Sequence, residues 1–158
     1  MLDDVEKQLV YIGSDHAGFA NKAELRKYLV ESGRDVTDLG CFNEESVDYP
    51  DIAREVSEKV LETPKSVGVL LCGTGIGMSM AANKLHGIRA ALCADENAAE
   101  MARRHNDANI VAIGARTTDL EMAKKILEKF LTTKFEGAEP AGERHLKRVQ
   151  KMNEIENK

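Results

Sequence analysis

A surplus of positive charge is missing from this chain: its 158 residues carry 22 Lys and Arg against 27 Asp and Glu, a formal net charge of -5. Proteins that hold DNA or RNA draw much of their affinity from cations that neutralise phosphates, so polymeric nucleic acid is not an expected partner. Long apolar runs are missing as well, none approaching the ~20 residues that span a bilayer. The opening segment Met1–Gln8 is acidic and polar, unlike the apolar stretch of a leader peptide. Together these predict a soluble, cytoplasmic protein with no membrane partner. The three cysteines, Cys41, Cys72 and Cys93, form no C-x-x-C pair and leave one thiol over, which argues against a disulfide framework and a cysteine-ligated zinc. No H-x-x-x-H or His/carboxylate spacing announces a metal site, so neither metal nor cofactor is expected. Repeats, low-complexity tracts and linkers are also lacking. One domain over residues 1–158 follows, long enough to bury about 70% of its unfolded surface.

What is present is an alternation of strands and helices. Leu9–Gly13 is a short apolar run closed by Gly, and Asn21–Ser32 carries Leu25, Tyr28 and Leu29 at helical spacing before Gly33. A weak strand near Val36 leads into an irregular stretch, Gly40–Pro50; Ile52, Val56, Val60 and Leu61 then mark a second helix. Val67–Cys72 reads as a buried strand running into Gly73-Thr-Gly-Ile-Gly77, with a helix from Met78 to Lys84. Further strands are expected at Ile88–Cys93 and Asn109–Gly114, with a helix from Asp95 to about Arg104 between them. Thr118-Asp-Leu-Glu121 has capping-box spacing ahead of an apolar stripe ending at Phe130. Glu136–Glu143 reads as a surface loop, and residues 144–156 as a C-terminal helix. The pattern predicts an α/β fold: a doubly wound, mostly parallel five-stranded sheet with helices on both faces, its core spanning about residues 9–135. Ligands bind such sheets at the carboxyl ends of the strands.

Three polar clusters read as strand-end groups: Ser14-Asp15-His16, Cys72 with its glycine loop, and Asp95 with the helix leading to His105 and Asn106. Alone, Cys72 reads as a small core residue. The loop after it reverses that reading, because successive glycines turn backbone N–H groups toward a helix N-terminus that stabilises an anion and lowers a thiol pKa. A thiolate there can remove a proton from carbon beside a carbonyl, while the N–H groups and the Thr74 hydroxyl hold the enediolate oxygen. Other glycine-loop chemistries fail on the letters. The dinucleotide fingerprint needs G-x-G-x-x-G, whereas the glycines stand at 73, 75 and 77. Walker A needs a Gly-Lys-Ser/Thr ending, and a cysteine phosphatase needs Arg where Met78 stands.

His105 and His16 are candidate proton carriers, since neutral imidazole both donates and accepts near pH 7. Each on its own reads more readily as a cap or a turn residue; it is the two together, at strand-end loops of one sheet, that make them candidates. Arg144 and Arg148 share a helical face and can grip one phosphate, and Arg116 follows a strand-end glycine.

In order along the chain, Gly13-Ser-Asp-His-Ala-Gly18, Glu45-Ser-Val-Asp-Tyr-Pro50, Leu71-Cys-Gly-Thr-Gly-Ile-Gly-Met-Ser79, Ala81-Ala-Asn-Lys84, Gly87-Ile-Arg-Ala90, Arg104-His-Asn-Asp-Ala-Asn109, Gly114-Ala-Arg116 and Glu143-Arg-His-Leu-Lys-Arg148 resemble the type B ribose-5-phosphate isomerase family, whose relatives include galactose-6-phosphate isomerase subunits. The resemblance covers nearly everything after residue 9. It implies aldose-ketose isomerisation of ribose 5-phosphate, with Cys72 as base, Thr74 and the loop Gly73, Gly75, Ile76 and Gly77 around the enediolate, and His105 as the ring-opening acid. It further implies sugar contacts from Asp15, His16, Tyr49 and Asn106, phosphate contacts from Arg116, Arg144 and Arg148, and no metal. The implied assembly is a homodimer or a tetramer of dimers whose sites combine two subunits. One departure stands out: the family passes from Glu-Gly almost directly into Gly-Arg-His, whereas Ala138–Glu143 lengthens that approach here. A six-carbon aldose phosphate as substrate, or a non-catalytic sugar-phosphate binding module, are the alternatives that the residues leave open.

Overall fold

The computed structural model describes residues 8–157. Five parallel strands form one sheet: β1 (Val10–Ser14), β2 (Val36–Asp38), β3 (Val67–Cys72), β4 (Ala90–Leu92) and β5 (Ile110–Gly114), in the order β2-β1-β3-β5-β4. Every pairing is parallel, firmer than the mostly parallel sheet that the pattern predicts. The helices are α1 (Phe19–Glu31), α2 (Tyr49–Glu62), α3 (Ile76–Ala82), α4 (Glu96–Arg104), α5 (Leu120–Thr132) and α6 (Glu143–Ile155). Among the described residues, no helix is long and apolar enough to cross a membrane.

Alternation along β3 builds both layers of the core. Val67, Val69 and Leu71 face a cluster with Leu25 and Leu29 of α1, Ala99 and Ala102 of α4, and Ile126, Leu127 and Phe130 of α5. Leu70 and Cys72 face the other cluster, with Ala53, Val56 and Val60 of α2 and Met78 and Ala82 of α3. Each fully buried Leu, Ile or Phe contributes about 1.5–3 kcal/mol relative to exposure. The helices are set by local chemistry: Asp95 accepts from the Ala98 N–H to start α4, Asp119 from the Met122 N–H to start α5, and Pro50 occupies the first turn of α2.

Two segments differ from expectation. The strand predicted over Ile88–Cys93 is shorter at its start, because the Asn109 side chain accepts the Arg89 N–H; past its end the Cys93 N–H still donates to Ala112 O (3.1 Å). Glu136–Glu143 is not a loose surface loop: it forms two 3-10 turns, Glu136–Ala138 and Pro140–Gly142, with Gly137 and Gly142 buried. The turns pack against α6 and pin its start.

Candidate active site

β1, β3 and β5 end in register: Ser14 lies beside Leu71, and Cys72 beside Gly114. The turns that follow are laced together. Asp15 donates its N–H to Leu71 O (3.1 Å), Ala115 to Cys72 O (2.8 Å) and Arg116 to Gly73 O (2.9 Å). The last of these brings the Arg116 guanidinium over Gly73, where a Cβ would stand 3.3 Å from Nη1. Gly75 has φ +78°, and a Cβ there would meet Leu92 Cδ1 at 2.6 Å and the Ile113 carbonyl carbon at 3.0 Å, so only glycine turns the chain at this point. Its N–H donates to Cys72 Sγ (3.1 Å). Thr74 Oγ1 accepts from the Ile76 N–H (3.3 Å), which leaves its hydroxyl proton free to donate outward. The Tyr49 ring lies where a Gly77 side chain would be, 2.6 Å from the ideal Cβ.

Asp15 is buried and its Oδ1 accepts from the Gly18 N–H (3.1 Å). His16 Nδ1 accepts from the Val47 N–H (3.3 Å). An accepting Nδ1 carries no proton, so the neutral ring is protonated on Nε2. Asp15, His16, Tyr49, Cys72–Gly77 and Arg116 therefore gather at the carboxyl edge of the sheet. Sequence reasoning passed over a support for this edge, the buried Lys22. Its ammonium donates to Asp38 Oδ1 (2.7 Å) and to Cys41 O, and lies 5.3 Å from the Phe42 ring centroid. A lysine in a helical stretch reads as solvated; only the tertiary structure pairs it with Asp38 and ties down the segment that leads to Tyr49.

His105 and Asn106 are elsewhere. α4 runs antiparallel to the strands, so its last turn reaches the amino edge of the sheet, and His105 is its C-cap. The expectation that His105 shares a strand-end position with His16 is corrected by that direction. At the amino edge His105 stacks on His145 of α6, centroids 4.2 Å apart and planes 7° apart. Glu136 Oε2 stands 3.8 Å from His105 Nε2 and 3.5 Å from His145 Nε2, while Oε1 accepts from Arg104 Nε. The Arg104 hydrogen bond holds the Glu136 carboxyl below its ordinary range. Burial, with His105 alongside, lowers the His145 pKa. Neither Glu136 nor His145 was singled out from sequence; His145 shares the buried face of α6 with Val149, a pattern that was there to be used. Arg144 and Arg148 are exposed on the same helix. Of the other thiols, Cys93 is buried and its pKa is pushed up to about 12 by desolvation, with Asp95 adding to it.

Among the described residues two groups thus stand apart: a thiol with a glycine loop and one arginine at the carboxyl edge, and an imidazole pair with two arginines at the amino edge. A thiol beside a glycine loop at the strand ends of a parallel α/β sheet stands where ligands of such sheets bind, and makes the carboxyl edge the candidate site.

Comparison with known proteins makes the class specific. A family model described as ribose/galactose isomerase matches residues 10–152. Ribose-5-phosphate isomerase B of Escherichia coli is 41% identical over 149 residues, covering 94% of this chain and 97% of that protein. A putative sugar phosphate isomerase of Rickettsia conorii is 44% identical over 143 residues, 90% of this chain and 96% of the relative. Among solved structures, ribose-5-phosphate isomerase B of Clostridium thermocellum superposes with a TM-score of 0.90 at 44% identity, over 95% of this chain and 98% of that one. The type B ribose 5-phosphate isomerase of Trypanosoma cruzi gives 0.88 at 47%, over 95% and 99%. The chain belongs to the ribose/galactose isomerase family. It is accordingly an isomerase, an enzyme that moves hydrogen within one molecule.

Proposed function

We propose that the protein interconverts ribose 5-phosphate and ribulose 5-phosphate in a site shared by two copies of the chain. The observation that carries the reading is the Gly75 N–H donated to Cys72 Sγ at 3.1 Å, in a loop that opens directly onto α3. The contact sets the sulfur at the mouth of the glycine loop, beside the backbone N–H groups that would receive the enediolate.

The furanose must open first. His105 of a second copy donates a proton to the ring oxygen while the anomeric hydroxyl loses its proton to water, which reprotonates His105, yielding the C1 aldehyde. The Cys72 thiolate then takes the C2 proton, and the electron pair moves into the carbonyl as an enediolate. Backbone N–H groups of Gly73–Gly77 and the Thr74 hydroxyl hold its oxygens. Cys72 returns the carbon-bound proton to C1 as the hydroxyl proton passes from O2 to O1, so the ketose forms with no net change in atoms. Asp15, His16, Tyr49 and Asn106 orient the sugar, and Arg116, Arg144 and Arg148 take the phosphate.

Two facts support the shared site. The half-sites lie at opposite edges of one sheet, so one copy by itself does not bring Cys72 to His105. Apolar side chains are also exposed around the carboxyl edge and α3, among them Phe42 (71% exposed) and Met80 (64%), which a second copy would cover. Incubation with ribose 5-phosphate in deuterated water tests the activity, with allose 6-phosphate run in parallel. Deuterium at C2 of recovered ribose 5-phosphate is expected; exchange into allose 6-phosphate alone would sink the pentose assignment.

A further inference from the structure

Glu136 stands where three pieces of chain meet, the end of α4, the first 3-10 turn and the start of α6. Its two carboxylate oxygens are divided: Oε1 accepts from Arg104, and Oε2 faces both imidazoles. One ring nitrogen of His105, one of His145 and a Glu136 oxygen all lie within 4.8 Å of one another. His145 is buried, and the other two residues are about one-third exposed on their side chains, 34% for His105 and 33% for Glu136. The cluster therefore has a backed wall and an open side.

We propose that His105, Glu136 and His145 bind one divalent cation of the zinc class, with a fourth position open to water, and that the bound ion holds the isomerase inactive. Two imidazole nitrogens and one carboxylate oxygen form the donor set that zinc takes when it keeps an open position, with bonds of about 2.0–2.2 Å. Tetrahedral bonds of that length separate neighbouring donors by about 3.3 Å, so the pairs now at 3.8 and 3.5 Å close by a few tenths of an ångström. Stacked rings point their lone pairs side by side, and convergence on one ion requires one ring to tilt. His105, the less buried ring at a helix end, is the one free to do so. Arg104 fixes Glu136 from behind, as partners of ligating carboxylates do. Its charge, with Arg144 and Arg148 on α6, weakens cation affinity, while Glu100 beside Arg104 offsets part of that. The result is a site that fills when free cation rises and empties under a chelator.

Inhibition rests on the function proposed for His105: an ion on Nε2 occupies the atom that must carry the ring-opening proton. Binding itself does not depend on that role. The test starts from chelator-treated full-length protein. Cobalt(II) is titrated with the visible absorption as readout, and zinc by calorimetry. One ion per chain with tetrahedral cobalt bands is expected, with affinity at least about ten-fold lower in Glu136→Gln and in His145→Ala. Circular dichroism and melting of both variants show that they are folded. Unchanged binding in both folded variants, or no cobalt bands in the parent protein, overturns the site. Zinc should lower ribose 5-phosphate turnover along the same titration curve, with recovery on adding chelator. An enzyme that binds the ion yet keeps full turnover overturns the inhibitory claim, whereas a chain without isomerase activity is a failure of the functional reading and leaves the cobalt result to decide the site.

Discussion

Cys72 Sγ and Gly75 N are 3.1 Å apart, with the backbone N–H donating to sulfur. This one contact joins the apolar strand β3, which ends in Cys72, to the left-handed glycine that opens α3. It gives the thiol a donor that an ordinary core cysteine lacks. Replacing Cys72 by Ser keeps the shape and the donor but loses the thiolate. Turnover of Cys72→Ser should fall at least about a hundred-fold with KM changed only a few-fold, measured by steady-state kinetics. Near-normal turnover would remove Cys72 as the base.

Cys93 should behave oppositely. Its pKa of about 12 leaves it protonated at neutral pH, so iodoacetamide at pH 8 should inactivate the enzyme through Cys72 and leave Cys93 unmodified by peptide mass spectrometry. The sign of its linkage is also fixed. Unfolded Cys93 ionises near 9.0 and folded Cys93 near 12, so the unfolded state binds fewer protons between them and stability falls as pH rises through that window. Cys93→Ala should lose less melting temperature than the parent between pH 8.5 and 10.5. Equal losses would show that Cys93 ionises freely in the fold.

His105 as ring-opening acid has a kinetic signature. Without it, the enzyme acts only on the open-chain aldehyde that forms spontaneously. The rate with His105→Asn should therefore stop rising with enzyme concentration and level off at the uncatalysed ring-opening rate, while wild type stays linear. Linear behaviour of the variant up to wild-type rates would assign ring opening elsewhere.

Arg148 stands exposed on α6, four residues after Arg144, beyond the 3-10 turns that the lengthened segment forms. A charged hydrogen bond to phosphate contributes about 1.5–3 kcal/mol, so Arg148→Ala should raise KM for ribose 5-phosphate by roughly ten-fold or more. An unchanged KM would mean that the turns have carried α6 away from the phosphate.

Period and turn chemistry made most of the fold legible. The strand-loop-helix junction at Cys72–Met78 was readable because glycines at 73, 75 and 77 follow an apolar run, and the structure gives each a steric or hydrogen-bonding reason. Lys22 and Glu136 were not readable, and of His145 only its place on the buried face of α6 was. Their partners, Asp38 for the first and His105 for the other two, are brought together by packing between elements rather than by spacing along one. The segment Glu136–Glu143 looked like a loop because Gly and Pro mark turns, and the letters do not say whether a turn is buried. His105 was the subtler case. Its position at a helix end was evident, but which edge of the sheet that end reaches depends on the antiparallel run of α4, and it is this that separates His105 from Cys72.

The central claim, a site built from two copies, is tested most directly by mixing inactive variants. Cys72→Ala and His105→Asn chains are unfolded together and refolded at equal ratio. About half the dimers are then mixed, and one of the two sites in each mixed dimer has both residues intact. The account predicts that about a quarter of wild-type activity returns. A mixture as inactive as its parents, with mixed dimers seen by native mass spectrometry, would contradict it.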